Sequence, residues 1–328
     1  MKKLFTVLSA GFVALLALGP DPAMSAETYP NRPIRMVVPF APGGNTDILA
    51  RAVGQRMSDN WGTPVVVDNR PGGNGFIAAE IAAKATPDGH TVLVASSREV
   101  SINLGLFRKL PYDPEKDFAP VTLGTVSAML FAAHPSFQGN TLRDIIGAAK
   151  ARPGSVSIGT PGVGTPMHLS LELFNMLIGA KTVHVPYRGG GPLAAALLGG
   201  QEVKIGIVGM GPAIPHVRAG RVKPIAITTQ KRSRLLPDVP TAQEAGLKNF
   251  DTSIWFAFYV PARTPKTIVS KLHGELVRIL RLPEVVDYLE NVTGVDVVPG
   301  TPQELARFAR AEADKYRKIM RAAGIQAE

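Results

Sequence analysis

Hydrophobic and polar positions fall into one recurring unit: a short apolar run, a glycine-rich loop, then apolar residues at helical spacing. Residues 34–38 read as the first strand. After a loop at 39–45, Ile48, Leu49, Ala52, Val53 and Met57 recur on one helical face. Asn45 or Thr46 is expected to cap that helix, and Asp47 falls in its first turn, where a negative charge suits the helix dipole. A second strand at 65–67 leads through loop 69–75 into a helix holding Ile77 and Ile81. A third, at 91–95, ends in the polar Ser96-Ser97-Arg98-Glu99.

A long extended run at 121–133 precedes a restart of the pattern. Thr141-Leu142-Arg143-Asp144 reads as a capped helix start. Strand 156–158 leads into loop 159–165 and a helix with Leu169, Leu173, Phe174 and Leu177. Strand 183–185 leads into Pro186-Tyr187-Arg188-Gly189-Gly190-Gly191, with Pro192 expected at a first helical position. Strand 203–208 meets Gly209-Met210-Gly211-Pro212. The last third returns to helices: Thr241 with Glu244 and Thr301 with Glu304 form capping boxes around an apolar strand at 255–260.

Strands alternating with helices predict an α/β fold with largely parallel sheets. Loops that follow strands lie at the strands' carboxyl edges, where open α/β sheets bind ligands. Here there are two sets of such loops, one before residue 120 and one after, so two facing edges would enclose a cleft. Many of these loops open a helix, whose free N–H groups make an anion site.

Composition sharpens this picture. The chain has 328 residues, about two domains' worth at roughly 150 residues each. Its 33 glycines and 28 prolines cluster in the loops just described. Residues 1–26 read as an export signal, with Lys2 and Lys3 ahead of an uncharged apolar run at 4–18 and small residues at Ser25-Ala26. That run is shorter than the roughly 20 residues a membrane span needs. With no cysteine, the chain has no disulfide, thiol nucleophile or thiolate metal site, and export without cysteine fits a bacterial periplasm.

A net charge of +10 raises the question of nucleic acid. The basic residues are scattered, however, and the densest cluster, Lys231-Arg232-Ser233-Arg234, has no interleaved aromatics. A solvated loop and a mild preference for anionic ligands is the reading. Two stretches, Gly73-Asn74-Gly75-Phe76-Ile77-Ala78 and Gly189-Gly190-Gly191-Pro192-Leu193-Ala194, match a dinucleotide fingerprint. Neither is followed by a strand ending in the acidic residue that holds the ribose. The six histidines show no metal-ligand spacing, and no nucleophile elbow is present. No metal, cofactor or catalysis is expected. His168, in the first turn after loop 159–165, either orders that loop or meets a ligand. Arg188, before bare glycine backbone, either lies on the surface or holds a carboxylate; Arg98 is similar.

The loops themselves resemble a known family. Val37-Val38-Pro39-Phe40-Ala41-Pro42-Gly43-Gly44 with Asp47, and Asn69-Arg70-Pro71-Gly72-Gly73-Asn74-Gly75, resemble the Bug-type periplasmic solute receptors of tripartite tricarboxylate transporters. Lys109-Leu110-Pro111-Tyr112-Asp113, Val185-Pro186-Tyr187-Arg188-Gly189-Gly190 and Leu236-Pro237-Asp238-Val239-Pro240-Thr241 extend the match over the expected mature chain. The resemblance implies a type II periplasmic-binding-protein fold, with two doubly wound lobes closing on a small carboxylate. The first lobe would comprise residues 27–124 plus 252–328 and the second 125–251, with hinges near 124–127 and 250–255. In the first lobe, binding would fall to Phe40, Ala41, Gly43, Gly44, Asn45, Thr46, Asn74, Ser96 and Arg98. In the second it would fall to Thr160, Gly164, Thr165, His168, Tyr187 and Arg188. Arg98 and the Gly209-Met210 surface are expected to set the far side of the ligand, an aromatic or dicarboxylic acid. The implied partners are a small organic acid and the membrane permease of a secondary transporter, served by a monomer. The same fold would also suit a receptor presenting ligand to a sensor kinase, and an exported carboxylate-processing enzyme is the remaining alternative.

Overall fold

The computed structural model describes residues 29–325; the expected export signal, residues 1–26, lies outside them. The chain opens with β1 (Ile34–Val38), α1 (Asn45–Trp61), β2 (Val65–Asn69), α2 (Phe76–Ala83) and β3 (Thr91–Ser96). A single π-helical turn over Arg98–Ile102 runs into α3 (Asn103–Leu106). The middle of the chain forms β4 (Phe118–Ala133), α4 (Leu142–Ala151), β5 (Ser157–Thr160), α5 (Pro166–Ile178) and β6 (Val183–Pro186). It continues as α6 (Gly190–Gly199), β7 (Ile205–Gly209), α7 (Met210–Arg218) and β8 (Lys223–Ile227). β9 (Ser253–Pro261), α8 (Lys266–Leu280), α9 (Pro283–Thr293), β10 (Val295–Val297) and α10 (Pro302–Ala322) complete it.

The strands are hydrogen-bonded in the order β2-β1-β3-β9-β4-β7-β5-β6, with β8 and β10 added on β4. Both ends of this path are parallel, as the alternation predicts. The centre is antiparallel. β9 re-enters only after the whole middle of the chain and runs back between β3 and β4. β8 and β10 were not anticipated: Lys223-Pro224 at the start of β8 breaks the apolar pattern, and β10 has three residues.

One strand joins the two halves. β4 is 16 residues long. It pairs with β9 from Phe118↔Pro261 to Ala128↔Ser253, and then with β7 from Met129↔Gly209 to Ala133↔Ile205. The pairing partner changes between Ala128 and Met129, and the chain returns at Thr252, whose N–H donates to the Thr228 carbonyl.

Separate apolar cores cover the two sections. α1 and α8 bury Leu49, Val53, Met57, Leu272 and Leu276 against Val92 and Phe258. Phe131, Phe174 and Phe250 pack together in the other section. Each such side chain contributes roughly 1.5–3 kcal/mol on burial. α10 belongs to both. Leu305 and Phe308 pack with Trp255 of the first section, whereas Tyr316, Ile319 and Met320 join Phe131 and Phe174 in the second. The last turns of α10 thus pack with Phe131 and Phe174 while its first turns pack with Trp255.

Capping follows the sequence in part. The Thr141/Asp144 and Thr301/Glu304 boxes form at α4 and α10. The Thr241/Glu244 pair forms both its hydrogen bonds, yet it closes a run of turns rather than a helix. α1 is not capped by Asn45 or Thr46: the cap position is Gly44, with no side-chain bond. Pro192 sits third in α6, not first. Among the described residues, no helix is long and apolar enough to cross a membrane.

Candidate functional site

The loop between β1 and α1 is held by one buried carboxylate. Asp47, 3% exposed, accepts the Gly43 N–H at 2.9 Å, Arg51 Nε at 3.0 Å and Asn69 Nδ2 at 3.0 Å. Asn69 Nδ2 also donates to the Phe40 carbonyl at 3.0 Å. Burial alone would raise the Asp47 pKa, but the bonds from Arg51, Gly43 and Asn69 override it and hold the carboxyl below its usual range. With Asp47 turned toward the loop, the free N–H groups of the first turn of α1 are presented on the other side.

Beside them, β3 ends at Ser96. Its N–H and Oγ both donate to Glu99 Oε2 at 2.7 Å, while its Oγ accepts the Arg98 N–H at 3.2 Å. Arg98 is half-buried and donates through its guanidinium to Asn74 Oδ1 at 3.1 Å.

In the other section, Thr165 caps α5: its Oγ1 accepts the His168 N–H at 3.2 Å and donates to the Gly162 carbonyl at 2.7 Å. His168 Nδ1 accepts the Gly164 N–H at 3.1 Å, and its ring stacks on His184 with centroids 4.1 Å apart. His184 Nε2 lies 2.6 Å from Thr160 Oγ1. These contacts set the shape of loop 161–164 from behind.

Between the two sections lies a cavity of about 460 Å³. Four helices begin on it, at Gly44–Thr46 (α1), Thr165–Met167 (α5), Gly190 (α6) and Met210–Ala213 (α7). Helix N-termini carry partial positive charge and unpaired N–H groups, so their convergence favours an anion. Arg98 is the one arginine on the wall, which has no lysine, aspartate or glutamate. Most of the remaining wall is apolar, including Leu193, Leu197, Val208, Met210, Ile254 and Phe256.

Of the residues singled out from the sequence, Phe40, Gly44, Asn45, Thr46, Ser96, Arg98 and Thr165 line this cavity. Ala41, Gly43, Asn74, Thr160, Gly164, His168, Tyr187 and Arg188 do not. Asn74 braces Arg98, Thr160 is fully buried against His184, and His168 supports the loop. Tyr187 Oη donates to Glu202 at 2.8 Å. Arg188 is exposed. Gly209 and Met210, expected on the far side of the ligand, line it too; Ser127, Met167, Leu193, Leu197 and Ile254 were not singled out for binding. A leucine facing a cavity carries the same periodicity as one facing a core, so no sequence signal separates them. The basic cluster is engaged with carboxylates: Arg232 Nε donates to Glu244 at 2.7 Å, and Arg234 pairs with Glu290.

The histidine stack makes a pH prediction. Burial, with the neighbouring His168 adding to it, pushes the His184 pKa down from 6.5 to about 4. The fold therefore disfavours its protonation. Stability is full above the unfolded value and is lost as pH falls from 6.5 toward about 4. His184 is only half-buried, so solvent screening reduces the effect to about 1–2 kcal/mol. Urea unfolding across that window should show a shallower acid loss for His184→Asn than for the parent; equal slopes would exclude His184 as the cause.

The fold and this geometry have known counterparts. A profile described as tripartite tricarboxylate transporter family receptor matches residues 49–325. BugT of Bordetella pertussis is 35% identical over 304 residues, covering 92% of this chain and 93% of that protein. An R. palustris protein solved with adipate superposes with a TM-score of 0.81 at 33% identity, over 92% of this chain and all of the other. MatC from Rhodopseudomonas palustris, solved with bound malate, gives 0.75 at 33% identity, over 89% of this chain and 99% of that one. With the profile spanning most of its length and these relatives matching nearly end to end, the chain belongs to the tripartite tricarboxylate transporter receptor family.

Proposed function

We propose that the protein is a periplasmic receptor that binds a small organic acid between its two sections, closes on it and delivers it unchanged to a membrane permease. One observation carries this reading: four helix N-termini and Arg98 meet at a single cavity between two separately packed cores. A carboxylate placed there gains charge-assisted bonds from groups already fixed in position. The relatives solved with adipate and malate support an acid as cargo. The expected export signal at residues 1–26 agrees with the periplasmic setting of the family.

In this reading the carboxylate lies against Gly44, Asn45, Thr46, Ser96, Arg98 and Thr165. The crossings at Ala128–Met129 and Thr252–Ser253 act as the hinge, and the two sections are its lobes. Asn74, His168 and His184 hold the binding loops in shape without meeting the ligand.

Thermal unfolding of the mature chain against a panel of mono-, di- and tricarboxylates tests the proposal. A ligand at 100 times its dissociation constant adds about 2.7 kcal/mol, which is readily seen as a rise in Tm. At least one acid is expected to give such a rise, and Arg98→Ala is expected to diminish it. A panel without any shift would overturn the reading.

A further inference from the structure

We infer that the cargo is an acid with one carboxylate and an apolar aryl or alkyl body, and that the body lies in a groove running between α6 and α7. The inference rests on the receptor reading above and goes further by assigning the ligand's chemistry. The cavity does not stop where the helix N-termini meet. On α6 it extends from Gly190 to Leu197 and Leu198, and on α7 from Met210 to His216. At 1.5 Å per residue, each stretch is about 10 Å long. The groove therefore leads away from the helix ends that attract negative charge.

Its walls are of one kind. Leu193, Ala194 and Leu197 come from α6, Val208 from β7, and Met210 and Ala213 from α7. Ala132 of β4 and Val222 also border it. Its far end is His216, whose ring has no hydrogen-bond partner among the described residues. No lysine, arginine, aspartate or glutamate borders this stretch; Arg98 sits with Ser96 and Thr46 on the first section.

The two ends of the cavity thus ask for different chemistry. A carboxylate at the mouth meets Arg98 and oriented N–H groups. A second carboxylate carried down the groove would lose its hydration and find no donor beyond the His216 ring, a large penalty for a charge. An apolar body of similar length loses nothing polar and covers Ala194, Leu198 and Val208, all of which are only partly buried. A short dicarboxylate that stays at the mouth leaves the groove unused.

Titration calorimetry of the mature chain with phenylpropionate, adipate and malate tests this. The parent protein should bind phenylpropionate more tightly than malate, with the more negative heat-capacity change that apolar burial produces. Ala194→Leu fills the groove, and its loss of affinity for phenylpropionate should exceed its loss for malate by about tenfold. Circular dichroism and Tm establish that the variant folds, and the parent's own ranking of the three acids does not depend on it. Tighter binding of malate or adipate than of phenylpropionate would overturn the apolar assignment while leaving the receptor reading in place. So would an Ala194→Leu variant that weakens all three equally. No binding of any carboxylate would overturn both.

Discussion

Glu99→Ala is expected to destabilise the protein by about 3 kcal/mol and to weaken ligand binding with it. Glu99 is fully buried, and its Oε2 is the acceptor for both the N–H and the Oγ of Ser96. Alanine removes that acceptor and leaves a void. Two donors at the end of β3 are then without a partner, each costing about 1–3 kcal/mol if no water reaches it. Ser96 lines the cavity and its Oγ accepts the Arg98 N–H, so the disturbance is transmitted directly to the binding wall. Urea unfolding measures the first effect and calorimetry the second. A loss below about 0.5 kcal/mol, the range of ordinary surface changes, would show that Glu99 is dispensable.

Glutamine at the same position separates shape from charge. Burial raises the Glu99 pKa, against the opposing bonds from Ser96 and the nearby Arg98. The folded state therefore binds its proton more tightly than the unfolded chain. The stability this gives is complete below the ordinary carboxylate range and is lost as pH climbs from that range through the raised value. Glu99→Gln cannot lose a proton, so its stability relative to the parent should improve as pH rises. Parallel unfolding curves at mildly acid and neutral pH read this directly. Close packing explains why the carboxyl has so little freedom: a Cβ added at Gly75, where φ is +86°, would fall 2.1 Å from Glu99 Oε1.

Gly211→Val should lower ligand affinity by about 10–100-fold, by wedging the seam between the two sections and by narrowing the cavity wall that Gly211 lines. Gly211 opens α7 against the end of α9, and a Cβ there would stand 2.6 Å from the Thr293 carbonyl oxygen. That neighbour is backbone, so it cannot swing aside. α9 is anchored in the first core by Val285 and Leu289, whereas Met210 and Ile214 of α7 belong to the second section. A larger residue at 211 thus acts as a wedge. The Arg234–Glu290 ion pair crosses the same seam, and Leu235 packs beside Gly294. Overpacking of this kind costs about 1–3 kcal/mol in any arrangement that keeps α7 against α9 as here. Small-angle scattering at saturating ligand should show a larger radius of gyration for the variant. A variant as compact and as tight-binding as the parent would mean that this seam does not govern closure.

Much of the fold was legible in the sequence, for identifiable reasons. Alternation of strand and helix gave the class, because buried parallel strands and amphipathic helices have distinct apolar spacing. Thr141 and Thr301 announced their helices, since an N-cap is a local bond between residues three apart. The Thr241/Glu244 pair carried the same signature without a helix, because Gly246 and Phe250 turn the chain inward before a second turn can form. Long-range features were hidden. Nothing local marks the change of partner at Ala128–Met129, as β4 runs through it as one unbroken 16-residue strand. The polar mouth of the cavity could be anticipated from the loops after β1 and β3. Its apolar groove could not, because Leu193 and Leu197 look like any helical core.

α10 has a consequence for how the chain holds together. Its first half completes the packing around Trp255 and its second half completes the packing around Phe131 and Phe174. Trp255 Nε1 donates to Glu312 and Tyr316 Oη to the Ser253 carbonyl, so one helix secures both sides of the returning strand. Neither core is complete without this one helix. Loss of α10 would therefore leave both sections underpacked at once.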